Sequence, residues 1–300
     1  MDLQRMQEKI SAKESELHMP TLVAPDSLVN QPATPYDFGR CKLCAQPAAA
    51  PTYRLKKTTI YACADCGFHF IDALDTLPVA PLAAAQQNLD AKAIAYIESR
   101  LAASAAQQQV RLRQVQECLP LSGAHCLDLG AGAGLFASLL AAEGATVQGL
   151  EPQPVFCDFA LRKFGLTFHP ETVDAPYWQQ DYAGAFDLIT LWDVLEHVNF
   201  PVETLSQAVQ LLKPGGYLLL DTPIRDALVY RLGEWSYRLS RGRKPFMLET
   251  LYSPQPFRHK QIFTQRQLRR LAEQCGLRVQ RLELPRWSPR SQVTLVAQRV

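Results

Sequence analysis

The stretch His125-Cys-Leu-Asp-Leu129, Gly130-Ala-Gly-Ala-Gly134, Leu135-Phe-Ala-Ser-Leu-Leu-Ala-Ala-Glu143 decides how this chain is read. Five residues with strand character run into a turn in which every second residue is glycine, and a helix-forming run follows. A strand, glycine turn and helix in this order let backbone come close to a ligand, with the helix amino terminus supplying N–H donors.

Outward from that unit the pattern repeats. Thr146–Leu150 is the next strand and ends at Glu151, and Pro154–Phe164 reads as a helix. Asp187–Trp192 and Gly216–Asp221 are two further strands with the helix Val202–Leu212 between them. Alternation of this kind predicts a doubly wound α/β fold on a mostly parallel sheet. The end of the chain differs. After a helix at Phe263–Cys275, Leu277–Leu284 and Val293–Ala297 are strands with no helix between them. A short connection of that length makes the last pair antiparallel.

The whole chain has 300 residues, 47% hydrophobic and 20% charged, which suits a globular protein with a sizeable core. No apolar run approaches the roughly 20 residues of a membrane span, and the first twenty residues carry charges where a signal peptide has its apolar stretch. The expected compartment is the cytoplasm. The net charge of +2 is unevenly spread: Arg225 to Arg290 holds 15 Lys/Arg against 5 Asp/Glu. Such a segment points to an anionic ligand or to a solvated basic face.

Cys41-Lys-Leu-Cys44 and Cys63-Ala-Asp-Cys66 are two C-x2-C pairs with 18 residues between them. That is the spacing of a four-thiolate zinc site. Short strands at Thr52–Leu55, Thr58–Tyr61 and Phe68–Ile71 make the segment a zinc ribbon, with Gly67 following the second knuckle where positive φ is needed. His69 is then a surface or packing residue, and Cys118, Cys126, Cys157 and Cys275 read as core. Leu82 to Leu119, free of Gly and Pro and apolar at helical spacing, reads as one long helix or two.

Two acids narrow the ligand of the glycine turn. Asp128 precedes it, where a carboxylate repels pyrophosphate and suits an ammonium group. Glu151 stands at the end of the next strand, 17 residues after Gly134, where an acid accepts from ribose hydroxyls. S-adenosylmethionine, with its adenosyl part and cationic amino-acid tail, meets both requirements.

CLDLGAGAGLFASLLAAEGATVQGLEP (126–152), FDLITLWDVLEHV (186–198) and LLKPGGYLLLDTP (211–223) resemble, in order and spacing, motifs of the class I S-adenosylmethionine-dependent methyltransferases. The resemblance covers 121–300 and implies a Rossmann-like, seven-stranded sheet. Carried onto this chain, it implies that Gly130, Gly132 and Gly134 shape the cofactor loop and that Asp128 holds the methionine end. It implies further that Glu151 binds the ribose, that Asp174 lies near the adenine amino group, and that Trp192 and Asp193 line the methyl-donor face.

A zinc ribbon ahead of such a domain is similar to the sugar C-methyltransferases. In that resemblance His259, within Phe257-Arg258-His259, takes the place of the base, although Arg258 stands where the family has Glu and the family's carboxy-terminal domain is missing. The ribosomal RNA guanine methyltransferases also carry a ribbon, one that ends in a Cys/His pair not found here. Asp193-x-x-Glu196-His197 resembles a divalent-metal pattern of some quinone O-methyltransferases, and His197 is the second candidate base.

The expected organisation is an arm at 1–35, a zinc ribbon at 36–78, a helical connector at 79–120 and a methyltransferase domain at 121–300. Within the last, 224–260 is expected to be a substrate lid whose aromatics form a stacking wall and whose arginines bind phosphate or carboxylate. The expected substrate is a small, anionic or hydroxylated molecule such as a nucleotide- or lipid-linked sugar, a polysaccharide precursor or a secondary metabolite. RNA held by the ribbon is the alternative.

Overall fold

The computed structural model describes residues 36–75, 89–252, 259–283 and 292–300. The arm expected at 1–35, the first part of the connector, Phe257 and Arg258 lie outside the described residues.

The glycine-turn unit folds as read. Strand β4 (His125–Leu129) leads through the turn into helix α2 (Leu135–Ala142). Strand β5 (Thr146–Leu150), helix α3 (Pro154–Phe164) and strand β6 (Phe168–His169) extend the sheet to one side. After a short helix α4 (Pro176–Asp181), strand β7 (Phe186–Trp192), helix α5 (Pro201–Leu211) and strand β8 (Leu212–Pro223) extend it to the other. Strands β10 (Leu277–Glu283) and β11 (Gln292–Arg299) close that edge, so the order is β10-β11-β8-β7-β4-β5-β6. The four inner pairings from β6 to β8 run parallel where the chain crosses over through helices, and β11 is antiparallel to both β8 and β10. The central strands are apolar along their length because helices cover both faces. The winding reverses between β4 and β7, and a crevice opens at the carboxyl ends of these two strands.

Helix α1 (Ala91–Gln116) is a single 26-residue element whose start is capped by the Asp90 carboxylate, accepting from the Ala93 N–H at 2.8 Å. Its buried positions Ala93, Ile97, Leu112 and Val115 face the body of the protein.

The ribbon forms a second sheet from β1 (Ala49–Arg54), β2 (Thr59–Cys63) and β3 (His69–Ile71), each antiparallel to the next. A fourth strand, β9 (Gln261–Ile262), comes from the far end of the chain and pairs antiparallel with β3. Nothing in the ribbon segment announces it, yet it covers a sheet edge that would otherwise be open. It is followed directly by helix α8 (Gln265–Gln274), whose capping box uses Thr264 and Gln267.

Two helices make up most of the described part of the segment 224–260, which the sequence led us to expect as a lid. Helices α6 (Leu228–Leu239) and α7 (Phe246–Tyr252) lie against the ribbon. Tyr230 and Tyr252 are fully buried in a cluster with Tyr53, Ile60, Ile71 and Ile262. These two aromatics are interior packing residues, whereas Trp235 and Phe246 of the same segment are exposed. Among the described residues no helix is long and apolar enough to cross a membrane.

Gln261 is fully buried, and its side-chain amide donates to the carbonyls of Leu195 at 2.7 Å and Val198 at 2.8 Å. Gln261→Ala strands both carbonyls and is expected to cost roughly 2 kcal/mol or more in urea unfolding. A shift below about 0.5 kcal/mol would show that these bonds are dispensable.

Candidate active site

The glycine turn is held by the neighbouring strand, for the N–H groups of Gly130 and Ala131 both donate to the Leu150 carbonyl. Gly130 has φ +69°, and a Cβ there would lie 2.5 Å from the Val194 side chain. Gly132, at φ +54°, faces open space, which is the room a ligand requires. Glu151 is buried beneath the turn, its carboxylate accepting from the N–H of Gly132 and of Gln153, both at 2.9 Å. Asp128 is buried inside β4 and accepts from the Thr190 hydroxyl at 2.7 Å. Burial pushes both acids up to about 7, against the hydrogen bonds that favour their ionised forms.

Asp174 is exposed in the loop between β6 and α4 and accepts from the Thr172 hydroxyl. Trp192 is largely buried, packed edge-on against Phe136 with ring centroids 5.3 Å apart, and its indole N–H lacks a hydrogen-bond partner. It therefore presents little surface to the crevice. Asp193 follows it in the left-handed region at φ +56°, unusual for a residue with a side chain. Its N–H donates to Asp221 at 2.9 Å, and Gln292 donates to its carboxylate.

What the sequence reading missed is the partner of these acids. Arg111, 5% exposed on α1, donates to Asp221 at 2.9 and 2.6 Å and to Asp193 at 2.6 Å, with its guanidinium 4.9 Å from the Trp192 ring centre. Burial works against the charge on Arg111, but the two carboxylates hold its pKa above the ordinary value. Asp221 is raised to about 6 by burial and by Asp193, with Arg111 opposing. The available signal was an arginine on the apolar stripe of a helix, next to Leu112, where a lone charge is rarely buried unpaired.

His197 and His259, the two candidate bases, lie together with ring centroids 4.8 Å apart. Glu196 lies beneath them, fully buried. One carboxylate oxygen accepts from the Thr222 hydroxyl at 2.9 Å, while the other has no hydrogen-bond partner and lies 4.0 Å from His197 Nε2. Burial, then the charge of Asp193, raises Glu196 well above the usual carboxylate range. Burial lowers His259, opposed by the Leu251 backbone and Asp193, and its Nδ1 is buried without a hydrogen-bond partner. Donor atoms of Glu196, His197 and His259 lie within 4.8 Å of one another, whereas Asp193 is engaged by Arg111 and Gln292.

The four ribbon sulfurs of Cys41, Cys44, Cys63 and Cys66 also lie within 4.8 Å of one another, and none is in a disulfide. The Cys41–Cys66 and Cys44–Cys63 separations are 3.6 Å. The edge of a zinc–thiolate tetrahedron with bonds near 2.3 Å is about 3.8 Å, so the cage fits that ion. The two knuckles are alike. The Ala45 N–H returns to the Cys41 carbonyl and the Gly67 N–H to that of Cys63, both residues at positive φ.

The knuckles are also tied to the larger sheet. Gln267 donates to the Cys66 carbonyl at 2.9 Å, and Arg225 donates to that of Gly67. His69 is buried and bonded to the Tyr230 hydroxyl at 2.9 Å, a packing role as expected.

A family described as a methyltransferase domain matches residues 97–282. A ubiquinone biosynthesis O-methyltransferase of Thiobacillus denitrificans is 35% identical over 126 residues, covering 41% of this chain and 54% of the relative. Its counterpart in Coxiella burnetii is 34% identical over 124 residues, covering 40% and 53%. The chain thus matches about half the length of these curated relatives. A SAM-dependent methyltransferase structure from Methanosarcina mazei superposes with a TM-score of 0.49 at 19% identity, covering 62% of this chain and 96% of that one.

If Asp128 and Glu151 must be ionised to hold an ammonium group and ribose hydroxyls, S-adenosylmethionine binding strengthens as pH rises through 7. The dissociation constant should fall about ten-fold per carboxylate between pH 6 and 8, with proton release in calorimetry. Glu151→Gln should weaken binding and flatten that dependence, and an unchanged pH profile would place the cofactor elsewhere. Purified protein should carry about one zinc per chain. A metal-free preparation with an unaltered thermal midpoint would remove the metal from the ribbon.

Proposed function

The chain belongs to the methyltransferase-domain family, with the class I S-adenosylmethionine-dependent fold, and from that premise we propose that it methylates a hydroxyl group of a small molecule. The observation that carries this reading is the His197–His259 pair beside buried Glu196, at the end of β7 next to the glycine turn. The O-methyltransferase names of the two relatives support oxygen as the acceptor atom. A nucleotide- or lipid-linked sugar, a polysaccharide precursor or a secondary metabolite each qualifies as the acceptor.

Gly130, Gly132 and Gly134 would cradle the cofactor, with Asp128 at its amino group, Glu151 at its ribose, Asp174 toward the adenine and Asp193 at the donor face, Trp192 packing behind it. Bound there, S-adenosylmethionine supplies an electrophilic methyl group on a sulfonium. The remaining work is positioning, together with removal of one proton from the acceptor hydroxyl. His259 is suited to take that proton, because burial keeps the imidazole neutral at physiological pH. Its imidazolium would be favoured by the neighbouring Asp193 carboxylate, while His197 lies close enough to share the acceptor.

The ribbon fits a scaffold better than an RNA grip. Its β3 edge is occupied by β9, and helices α6 and α7 lie over Tyr53, Ile60 and Ile71. Zinc in the four-cysteine cage would stiffen the knuckles that Gln267 and Arg225 bind.

The test is methyl-labelled S-adenosylmethionine incubated with protein and a fractionated cell extract. Label should enter the small-molecule fraction, and label in RNA instead would overturn the reading. On the labelled fraction, His259→Ala should lower kcat at least about hundred-fold while cofactor affinity stays within about two-fold. The acid limb of the wild-type kcat should lie below about pH 6.5, the unperturbed histidine value. Undiminished turnover in the variant would exclude His259 as the base.

A further inference from the structure

Helix α6 buries one face and leaves the other bare. Tyr230 and Gly233 are buried, and Glu234 accepts from the Tyr53 hydroxyl at 2.8 Å. On the opposite side Leu228, Leu232, Trp235 and Leu239 recur at helical spacing and are exposed by 72, 48, 68 and 78%. Phe246, at the start of α7, is exposed by 76%. Between stripe and turn lies a groove of about 810 Å³, whose apolar side is Leu232, Trp235 and Leu239 and whose rim is Arg241, Arg243 and Lys244.

The charge around this stripe has one sign. From Leu228 to Phe246 there are five Lys/Arg and one Asp/Glu. That one acid, Glu234, is turned inward to Tyr53. Arg231, Arg241, Arg243 and Lys244 are exposed. The hairpin joining β1 and β2 adds Arg54, Lys56 and Lys57 to the same unit. It is fixed there by the Arg54 N–H donating to the Tyr237 hydroxyl at 2.9 Å and the Lys56 N–H donating to Glu249 at 2.7 Å.

A contiguous apolar stripe on a soluble surface marks an interaction site. Leucines with a tryptophan between them, rimmed by cations, are the composition of a helix lying in a bilayer interface. The apolar face enters the acyl boundary, the indole sits at headgroup level, and the cations meet lipid phosphates. A second copy of this chain would bring these same cations against themselves, which disfavours self-association. Leucines on the stripe gain nothing from stacked bases. We propose that α6, the α6–α7 turn and the adjoining ribbon hairpin form a docking surface for an anionic phospholipid bilayer. The inference stands apart from the assigned chemistry, since none of these residues belongs to the candidate site.

The test is flotation of the full chain with phosphatidylcholine vesicles, with and without about 30% phosphatidylglycerol, together with tryptophan quenching by brominated lipid. Binding should be at least about ten-fold tighter to the anionic vesicles and should weaken in high salt. Trp235→Phe should remove the quenching. Trp235→Ala/Leu239→Asp and Arg241→Glu/Arg243→Glu should each lower binding at least about ten-fold, with circular dichroism and thermal midpoint unchanged. No flotation with anionic vesicles would overturn the proposal. So would flotation that both double variants retain, or a concentration-dependent dimer that Leu239→Asp disperses, which would make the stripe an interface between copies.

Discussion

One glutamine joins the two halves of the molecule. The Gln261 backbone continues the ribbon sheet opposite Phe70, while its side chain reaches the carbonyls of Leu195 and Val198, on either side of Glu196 and His197. The N–H groups of Gln261 and Lys260 both approach the Glu196 carbonyl, and the Lys260 ammonium pairs with Asp75 at 2.5 Å while donating to the His197 carbonyl. His259 is the residue immediately before this clamp. The position of the proposed base is therefore set by a strand whose other partner is the zinc ribbon, and the distance from β3 to the histidine pair is a matter of a few backbone bonds. A ribbon so placed acts as a strut behind the site.

The second organising interaction is ionic. Arg111 holds Asp221 and Asp193 from a helix that precedes the whole sheet. Removing one member of such a buried group leaves the others charged and unpaired, which costs far more than the intact group contributes. Asp193 is thereby fixed in a backbone conformation it would not adopt freely, and the adjacent Val194 side chain closes over Gly130. The connector helix thus takes part in shaping the end of β7.

The parts that were legible in the sequence are those encoded by local pattern. The glycine turn, the strand boundaries at β4 and β5, the antiparallel finish and the two cysteine knuckles each follow from spacing within a few residues. The two histidines were singled out by separate resemblances, but their adjacency was not legible because 62 residues separate them. Strand β9 escaped because two residues have no period, and its existence depends on a sheet edge 190 or so residues earlier. Arg111 escaped for the same reason, its partners lying 82 and 110 residues away. The packing role of Tyr230 and Tyr252 was not legible because aromatics among arginines fit both a ligand wall and a half-buried packing face. Only the ribbon lying against them decides between the two.

The pairing of β3 with β9 also sets a timetable for synthesis. The cysteines and the first three ribbon strands leave the ribosome early, and strand β9 follows about 190 residues later, which at 5–20 residues per second is roughly 10–40 s. During that interval the first three ribbon strands can pair, yet β3 offers an unpaired edge with Phe70 on it, the kind of surface that recruits other chains. The nascent protein is most exposed to misassociation after its smaller unit has formed and before its last helix has been made. Its tolerance of a slowed ribosome would be decided in that window.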